Sequence, residues 1–154
     1  MVRTNWLRTL RATFPHISFQ ESDTFRWSPT AKTVYVAPLR TEADLYTLLH
    51  ETGHALSNHV HYTQDLRLIK MEREAWDVAK EQLAPLFDTS ISDQVVEGAL
   101  DSYRDWLTAR SRCPECNQTG VQQDETHYRC LVCSSIWRVN DARMCQLRRY
   151  KVIK

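Results

Sequence analysis

The residues of this chain best suited to chemistry lie in the segment L-L-H-E-T-G-H-A-L at 48–56. His50 and His54 are four positions apart, so on a helix they lie on one face about one turn apart. That spacing lets both imidazoles reach one zinc ion at about 2.0–2.1 Å. Glu51, between them, can take a proton from a zinc-bound water. The pattern predicts a zinc site with Glu51 as general base.

A catalytic zinc site needs a third protein ligand and an open fourth position. The expected helix over about 65–87 carries an apolar stripe, and Glu72 lies in its middle. An ionised carboxylate is unfavourable there unless a cation meets it. We therefore predict Glu72 as the third ligand and keep Glu74 as the second choice. The structural alternative is an ion pair between Glu72 and Arg104.

Four of the five cysteines form two C-x-x-C pairs, Cys113 with Cys116 and Cys130 with Cys133. Each pair can chelate one zinc ion through two thiolates, and two pairs complete a tetrahedron. The spacing predicts a zinc ribbon, and because so short a module has little core, its zinc is expected to be structural and coupled to folding. Cys145 has no partner in this pattern, and we interpret it as a small packed residue.

Charge is unevenly distributed along the chain. Residues 110–154 hold nine Lys or Arg against four acidic residues, a net charge of +5, which leaves −4 on the remainder. With Tyr128, Trp137 and Tyr150 nearby, such a module could contact phosphates and stack on bases, so nucleic acid is one expected partner. The alternatives are a solvated basic tail and a ribbon that docks on, or recruits, a protein.

Composition indicates an ordinary globular protein, with 42% hydrophobic and 25% charged residues. No apolar run approaches the length of a membrane helix, so we expect no membrane partner. The N-terminus lacks the continuous apolar core of a signal peptide, which predicts a cytoplasmic location.

The elements that must position these residues are mostly helices. Thr41 is the expected N-cap of the histidine helix. Gly53 within that helix is unfavourable by about 1 kcal/mol relative to Ala, so we expect another backbone or a ligand to pass close to it. Helices are predicted over about 2–13, 42–58, 65–87 and 92–109, with short strands between 16 and 38. The fold class is α+β: a small antiparallel sheet with three to four helices over residues 1–110, followed by a zinc-ribbon module over 111–154.

The histidine segment, followed by M-E-R-E-A-W-D-V-A-K-E-Q-L-A-P, resembles the ImmA/IrrE-type zinc metallopeptidases over roughly residues 34–86. Their pattern is a strand, an H-E-x-G-H helix and a helix with E-x-x-A-N-x-F-A that ends in Pro. The E-R-E-A of this chain matches E-x-x-A, which carries the third-ligand role onto Glu72, and Pro85 matches the final Pro. Trp76 replaces the usual Asn and Val78 the usual Phe.

The resemblance implies a zincin-like fold and hydrolysis of a peptide bond in an intracellular protein. Larger proteases of the SprT type also join an H-E-x-x-H domain to a zinc ribbon, with a histidine as third ligand. We expect a zinc-dependent peptidase that acts on a protein or peptide and holds two zinc ions, one catalytic and one structural. A second oxyanion donor is expected among Tyr62, His61, Tyr103 and Arg104. The strand Thr33–Ala37 could offer an edge to an extended substrate, and the alternative is that both of its edges are covered.

The alternative function is a non-catalytic zinc-binding adaptor of nucleic acid or protein. In that case the H-E-x-x-H site would be structural or latent. A fourth protein ligand, such as His59 or His61, would favour this alternative because it would close the position that a reacting water needs.

Overall fold

The computed structural model describes residues 3–140 and 147–153, with side chains from Asn5 onward. Within these ranges the chain forms four α-helices and seven short strands, which confirms the α+β class. The helices are α1 (Arg3–Thr13), α2 (Glu42–Leu56), α3 (Asp65–Val78) and α4 (Asp93–Ser111). The strands are β1 (Ser18–Glu21), β2 (Arg26–Ser28), β3 (Thr33–Val36), β4 (Val121–Gln122), β5 (His127–Arg129), β6 (Ile136–Val139) and β7 (Arg149–Lys151). The interpretation of Cys145 lies outside the described residues.

The helix that carries the histidines, α2, begins with a capping box. The Thr41 hydroxyl accepts a hydrogen bond from the Asp44 backbone N–H, and the Asp44 carboxylate accepts one from the Thr41 N–H at 2.7 Å. These bonds satisfy backbone donors that the first turn of a helix leaves free. The predicted N-cap is confirmed.

The helical stretch predicted over about 65–87 has the expected extent, but only its first part, to Val78, is α-helical. After α3 the chain makes a π-helical turn, Ala79–Leu83, and then a 3₁₀ turn, Ala84–Phe87. Pro85, which has no N–H to donate, lies in the first residues of the 3₁₀ turn, where that loss is tolerated. Helical sequence periodicity does not distinguish these tighter and wider turns from an α-helix.

The first sheet has the strand order β1-β3-β2. Strand β2 pairs antiparallel with β3, but β1 pairs parallel with β3, so the predicted wholly antiparallel sheet is wrong for one pair. Strand direction alternates along the chain, as in a meander, but β3 inserts between β1 and β2. Of the two alternatives for Thr33–Ala37, an open edge for substrate and two covered edges, the structure has the second, because β3 has a neighbour on each side.

The chain divides into two compact units, residues 1–61 with 70–96, and residues 62–69 with 97–154. The first contains the β1-β3-β2 sheet and a core built from Leu10, Val34, Leu48, Leu49 and Leu83. The second contains the antiparallel sheet β4-β5-β6-β7, with a core of Cys113, Tyr128, Cys130, Trp137 and Val139. The functional division into 1–110 and 111–154 stays a prediction. No described helix is long and apolar enough to cross a membrane.

Candidate metal centre

Both histidines of the H-E-x-x-H segment are buried in the first unit. His50 and His54 are 6% and 8% exposed, and their ring centroids are 4.6 Å apart. They lie one turn apart on α2, as the spacing predicts. Buried imidazoles need polar partners, so the groups that meet their ring nitrogens decide what the pair can do.

Gly53 lets α3 approach this face of α2. A Cβ at position 53 would collide with the backbone carbonyl oxygen of Ala75, so no larger residue fits without movement of the backbone. This confirms the expectation that another backbone passes close to Gly53. Glu72 lies three residues before Ala75, on the same side of α3, and the close approach therefore brings its carboxylate to the histidines.

The donor atoms of His50, His54 and Glu72 converge. His50 Nε2 lies 3.0 Å from Glu72 Oε2, His54 Nε2 lies 3.4 Å from Glu72 Oε1, and the two Nε2 atoms are 3.1 Å apart. A tetrahedral zinc ion at about 2.0–2.1 Å from its ligands sets them about 3.3–3.4 Å apart. The three side chains thus form a group that can hold a metal ion.

The electrostatics of Glu72 also fit a cation. The residue is only 4% exposed, and its Oε2 makes no aligned hydrogen bond among the described residues. Burial would raise the pKa of Glu72, but its contacts with His50 and His54 outweigh burial and lower the pKa, so the carboxylate is ionised at neutral pH. An ionised carboxylate and two imidazoles in a buried site are a donor set found in catalytic zinc centres.

His59 and Glu74 do not join this cluster. His59 Nδ1 lies 2.8 Å from Nδ1 of His54, the ring nitrogen that does not face Glu72. His59 Nε2 lies 2.9 Å from Glu74 Oε2. The structure therefore places the second-choice ligand Glu74 on His59. Among the described residues, the metal-binding group has three members and His59 does not supply a fourth.

Glu51, the predicted general base, is half-buried and held by a strand. Its Oε2 accepts a hydrogen bond from the backbone N–H of Trp27 at 2.7 Å. Trp27 is the middle residue of β2 and pairs with Val34 of β3. Its indole Nε1 also donates to the carbonyl oxygen of His59 at 2.9 Å. Sequence reasoning missed these contacts because they join residues 24 and 32 positions apart.

Trp76, one of the two residues that depart from the ImmA/IrrE pattern, lies on His50. The two rings are stacked, with centroids 4.3 Å apart and an interplanar angle of 23°. The indole is buried, so it limits the rotation of the imidazole by packing. An aromatic face thus holds the orientation of the His50 ring.

The four C-x-x-C cysteines of the second unit form the other metal-binding group. Cys113 Sγ lies 3.6 Å from Cys133 Sγ, and Cys116 Sγ lies 3.5 Å from Cys130 Sγ. All four sulfur atoms lie within 4.8 Å of one another. Zinc–thiolate bonds of about 2.3 Å set tetrahedral sulfur atoms about 3.8 Å apart. The predicted quartet is thus assembled, while the identity of the ion stays a prediction.

The two cysteine pairs have the same backbone geometry. Cys113 N donates to Gln118 O, and Cys130 N donates to Ser135 O, both at 2.8 Å. Asn117 and Ser134, each directly after the second cysteine of its pair, have φ of 64° and 63°. Such repeated turns aim the thiols of both pairs inward. Hydrogen bonding with the side chain and the backbone of Ser135 lowers the pKa of Cys133 to about 6, which favours the thiolate that binds metal.

Other predicted residues have different partners. Arg104 pairs with Glu97 at 2.9 Å and with Asp101 at 2.8 Å, so the alternative Glu72–Arg104 ion pair is not formed. Tyr128 and Trp137 are 1% and 0% exposed and stack on each other, so they are core residues and cannot stack on bases as expected.

Comparison of the chain with family models, with curated proteins and with solved structures gives no match.

Proposed function

We propose that the protein is a zinc-dependent peptidase of the ImmA/IrrE kind that hydrolyses a peptide bond in an intracellular protein. His50, His54 and Glu72 hold the catalytic zinc ion, and the four cysteines hold a structural one. The cysteines are arranged for metal binding, which fits the reducing cytoplasm better than a disulfide-forming compartment. The ribbon recruits the substrate or a nucleic acid.

The observation that carries this proposal is the three-member donor set with its chelating geometry. Structural zinc sites are closed by four protein ligands, whereas catalytic sites keep one position for water or substrate. The described residues supply three ligands, and His59 is turned to the far side of His54. This arrangement favours a catalytic site over the adaptor alternative.

The chemistry divides between the metal and the chain. Zinc in such a site supplies a nucleophile at neutral pH, because it lowers the pKa of a bound water toward about 7, and it polarises a carbonyl group. Glu51 accepts the proton of the attacking water and passes it to the leaving amine. The Trp27 N–H fixes one oxygen of the Glu51 carboxylate, which leaves the second oxygen to carry the proton.

The test compares the wild-type protein with Glu51→Gln on β-casein, an unfolded general substrate. The wild type is expected to release peptides. Glu51→Gln is expected to lower the rate of peptide release by at least about 100-fold. The variant should keep its metal, because the substitution removes only the base. Asp77→Asn, an exposed acid on α3, is the matched control. Equal proteolysis by Glu51→Gln would end the general-base assignment.

A second candidate role belongs to the ribbon. His127, Arg138 and Tyr150 lie opposite one another on β5, β6 and β7, and Arg129 lies two residues from His127 on the same face. Arg129, Arg138 and Tyr150 are exposed, and the Arg138 guanidinium lies 5.3 Å above the Tyr150 ring. We propose that this face binds single-stranded nucleic acid, with phosphates on the arginines and a base on Tyr150.

This candidate predicts a salt-dependent interaction. Binding of a labelled single-stranded DNA or RNA oligonucleotide, measured by anisotropy, is expected to weaken steeply between about 50 and 200 mM salt. Arg138→Ala and Tyr150→Ala are expected to weaken it further, whereas Arg8→Ala, an exposed arginine of α1, leaves it unchanged. No binding at 50 mM salt would exclude the nucleic-acid role.

A further inference from the structure

The two ring nitrogens of His54 face different partners. Nε2 points to the metal-binding group, 3.1 Å from His50 Nε2, and Nδ1 lies 2.8 Å from His59 Nδ1. His59 in turn directs Nε2 at Glu74 Oε2, at 2.9 Å. These contacts form a series that leads from the metal-binding group through His54 and His59 to Glu74.

The end of α2 brings His59 back onto the helix. The helix ends at Leu56, and Asn58 has φ of 52°, in the left-handed region. The His59 N–H then donates to the carbonyl oxygen of His54 at 3.1 Å, as in a Schellman-type C-cap. The His59 carbonyl oxygen accepts from the Trp27 indole, and the side chain is buried. His59 is thus fixed by its backbone on both sides.

The protons on the ring nitrogens of His54 and His59 have one consistent arrangement when His54 binds metal. A neutral imidazole has one donor and one acceptor nitrogen. If His54 Nε2 gives its lone pair to a metal, Nδ1 carries the proton and donates to His59 Nδ1. The proton of His59 must then be on Nε2, where the Glu74 carboxylate accepts it. Each nitrogen and the carboxylate then have a matched partner.

We propose that His59 and Glu74 are positioning residues that fix the orientation and tautomer of the metal ligand His54. Metal-binding histidines commonly donate their other N–H to such an acceptor, which raises ligand basicity. Here His59 lies between His54 and the final acceptor, which is the Glu74 carboxylate. The Glu74 side chain is 62% exposed. The inference rests on the metal-binding part of the proposed function and is independent of any hydrolysis.

The first test is zinc affinity, measured by chelator competition on the full chain. Glu74→Ala and His59→Leu are expected to weaken zinc binding at the histidine site by about 10–100-fold. Glu74→Gln and His59→Gln, whose amides can still hydrogen-bond, are expected to restore part of it. The cysteine site in the same molecule is the internal reference, and Glu81→Ala, an exposed acid in the following helical turn, is the matched control.

The second test reads the tautomers directly. Long-range ¹H–¹⁵N NMR spectra of the zinc-loaded chain are expected to show His54 protonated on Nδ1 and His59 protonated on Nε2. Protonation of His59 on Nδ1, or an unchanged zinc affinity in Glu74→Ala, would overturn the proposed positioning role. If the wild-type chain binds no zinc at the histidine site, the proposed metal centre itself is wrong, so the two failures are distinguishable. Because Glu74 is exposed, Glu74→Ala leaves the core intact.

Discussion

At the scale of single residues, the two histidines that we propose as metal ligands are oriented by different kinds of neighbour. Stacking on Trp76 restrains the His50 ring, while a hydrogen bond to His59 restrains the His54 ring. Packing is tolerant of any flat aromatic partner, whereas a hydrogen bond requires a matched donor and acceptor. The two ligands should therefore respond differently to substitution of their neighbours.

We predict that Trp76→Ala weakens zinc binding at the histidine site and that Trp76→Phe largely preserves it. Removal of the buried indole leaves a cavity, which lowers the free energy of unfolding by about 3–5 kcal/mol and frees the His50 ring to rotate. Urea unfolding and chelator competition measure the two effects. Equal zinc affinity in Trp76→Ala and the wild type would show that stacking does not orient the ligand.

Single residues also show how far sequence reasoning reaches at the site. The grouping of His50 with His54 follows from their spacing, and that of Glu72 from its place in an apolar stripe, whereas the role of Glu51 stays a prediction. The contacts of Trp27 and His59 could not be predicted in this way. Both depend on backbone positions set outside α2, namely the place of β2 in its sheet and the left-handed conformation of Asn58.

At the scale of elements, the distance between α2 and α3 depends on one glycine. Because a Cβ at position 53 would meet the backbone of Ala75, we predict that Gly53→Ala destabilises the protein by about 1–3 kcal/mol and weakens zinc binding, since Glu72 must move with α3. Gly98→Ala is the matched control, because a Cβ there meets nothing within 4 Å.

The control variant Gly98→Ala is itself expected to change the free energy of unfolding, in the opposite direction to Gly53→Ala. Gly98 lies in the interior of α4, where alanine is favoured over glycine by about 1 kcal/mol, so Gly98→Ala is expected to raise the free energy of unfolding. Urea unfolding of both variants gives the comparison. If Gly53→Ala were as stable as Gly98→Ala, the close helix approach would not hold in solution.

The capping box of α2 predicts a pH dependence. Backbone N–H groups of Arg40 and Thr41 lower the pKa of Asp44 below its ordinary value of 3.8. A lowered pKa in the folded state contributes stability above the unfolded pKa, and this contribution is lost as pH falls through the folded pKa. The stability difference between wild type and Asp44→Ala is therefore expected to shrink below about pH 4. A difference that persists unchanged to pH 2 would contradict this.

Elements also differ in how well periodicity predicts them. The four helices and strand β3 follow from local patterns of apolar residues, and they lie where they are expected, except that α3 ends at Val78, short of the predicted residue 87. The order of β1, β3 and β2 could not be derived, because pairing between distant strands depends on the whole fold. The π turn that follows α3 has no local signature either, since its apolar spacing is also compatible with an α-helix.

At the scale of the whole molecule, the two metal-binding groups share no ligand and lie in different compact units. The apolar core around the cysteine quartet is small, so zinc should contribute much of the folding free energy of the zinc-ribbon module. Chelation of zinc is therefore expected to increase amide hydrogen exchange across residues 113–139, measured by mass spectrometry. Full protection of that segment without metal would show that the ribbon folds alone.

Composition and motif spacing predict the fold class and both donor sets of this chain, but the identity of any binding partner depends on surfaces that no local pattern describes. The basic excess of residues 110–154 illustrates the limit. The basic segment around them predicts base stacking for Tyr128, Trp137 and Tyr150, yet of these three only Tyr150 is exposed. Strand alternation turns the other two into the ribbon core.

The central claim is that the chain holds one metal ion in each of two independent sites. Metal analysis of the purified protein tests it most directly. We predict about two zinc equivalents in the wild type and about one in His54→Ala, with the remaining ion retained by the cysteines. A wild type with a single zinc ion that His54→Ala leaves in place would contradict the histidine–glutamate metal centre.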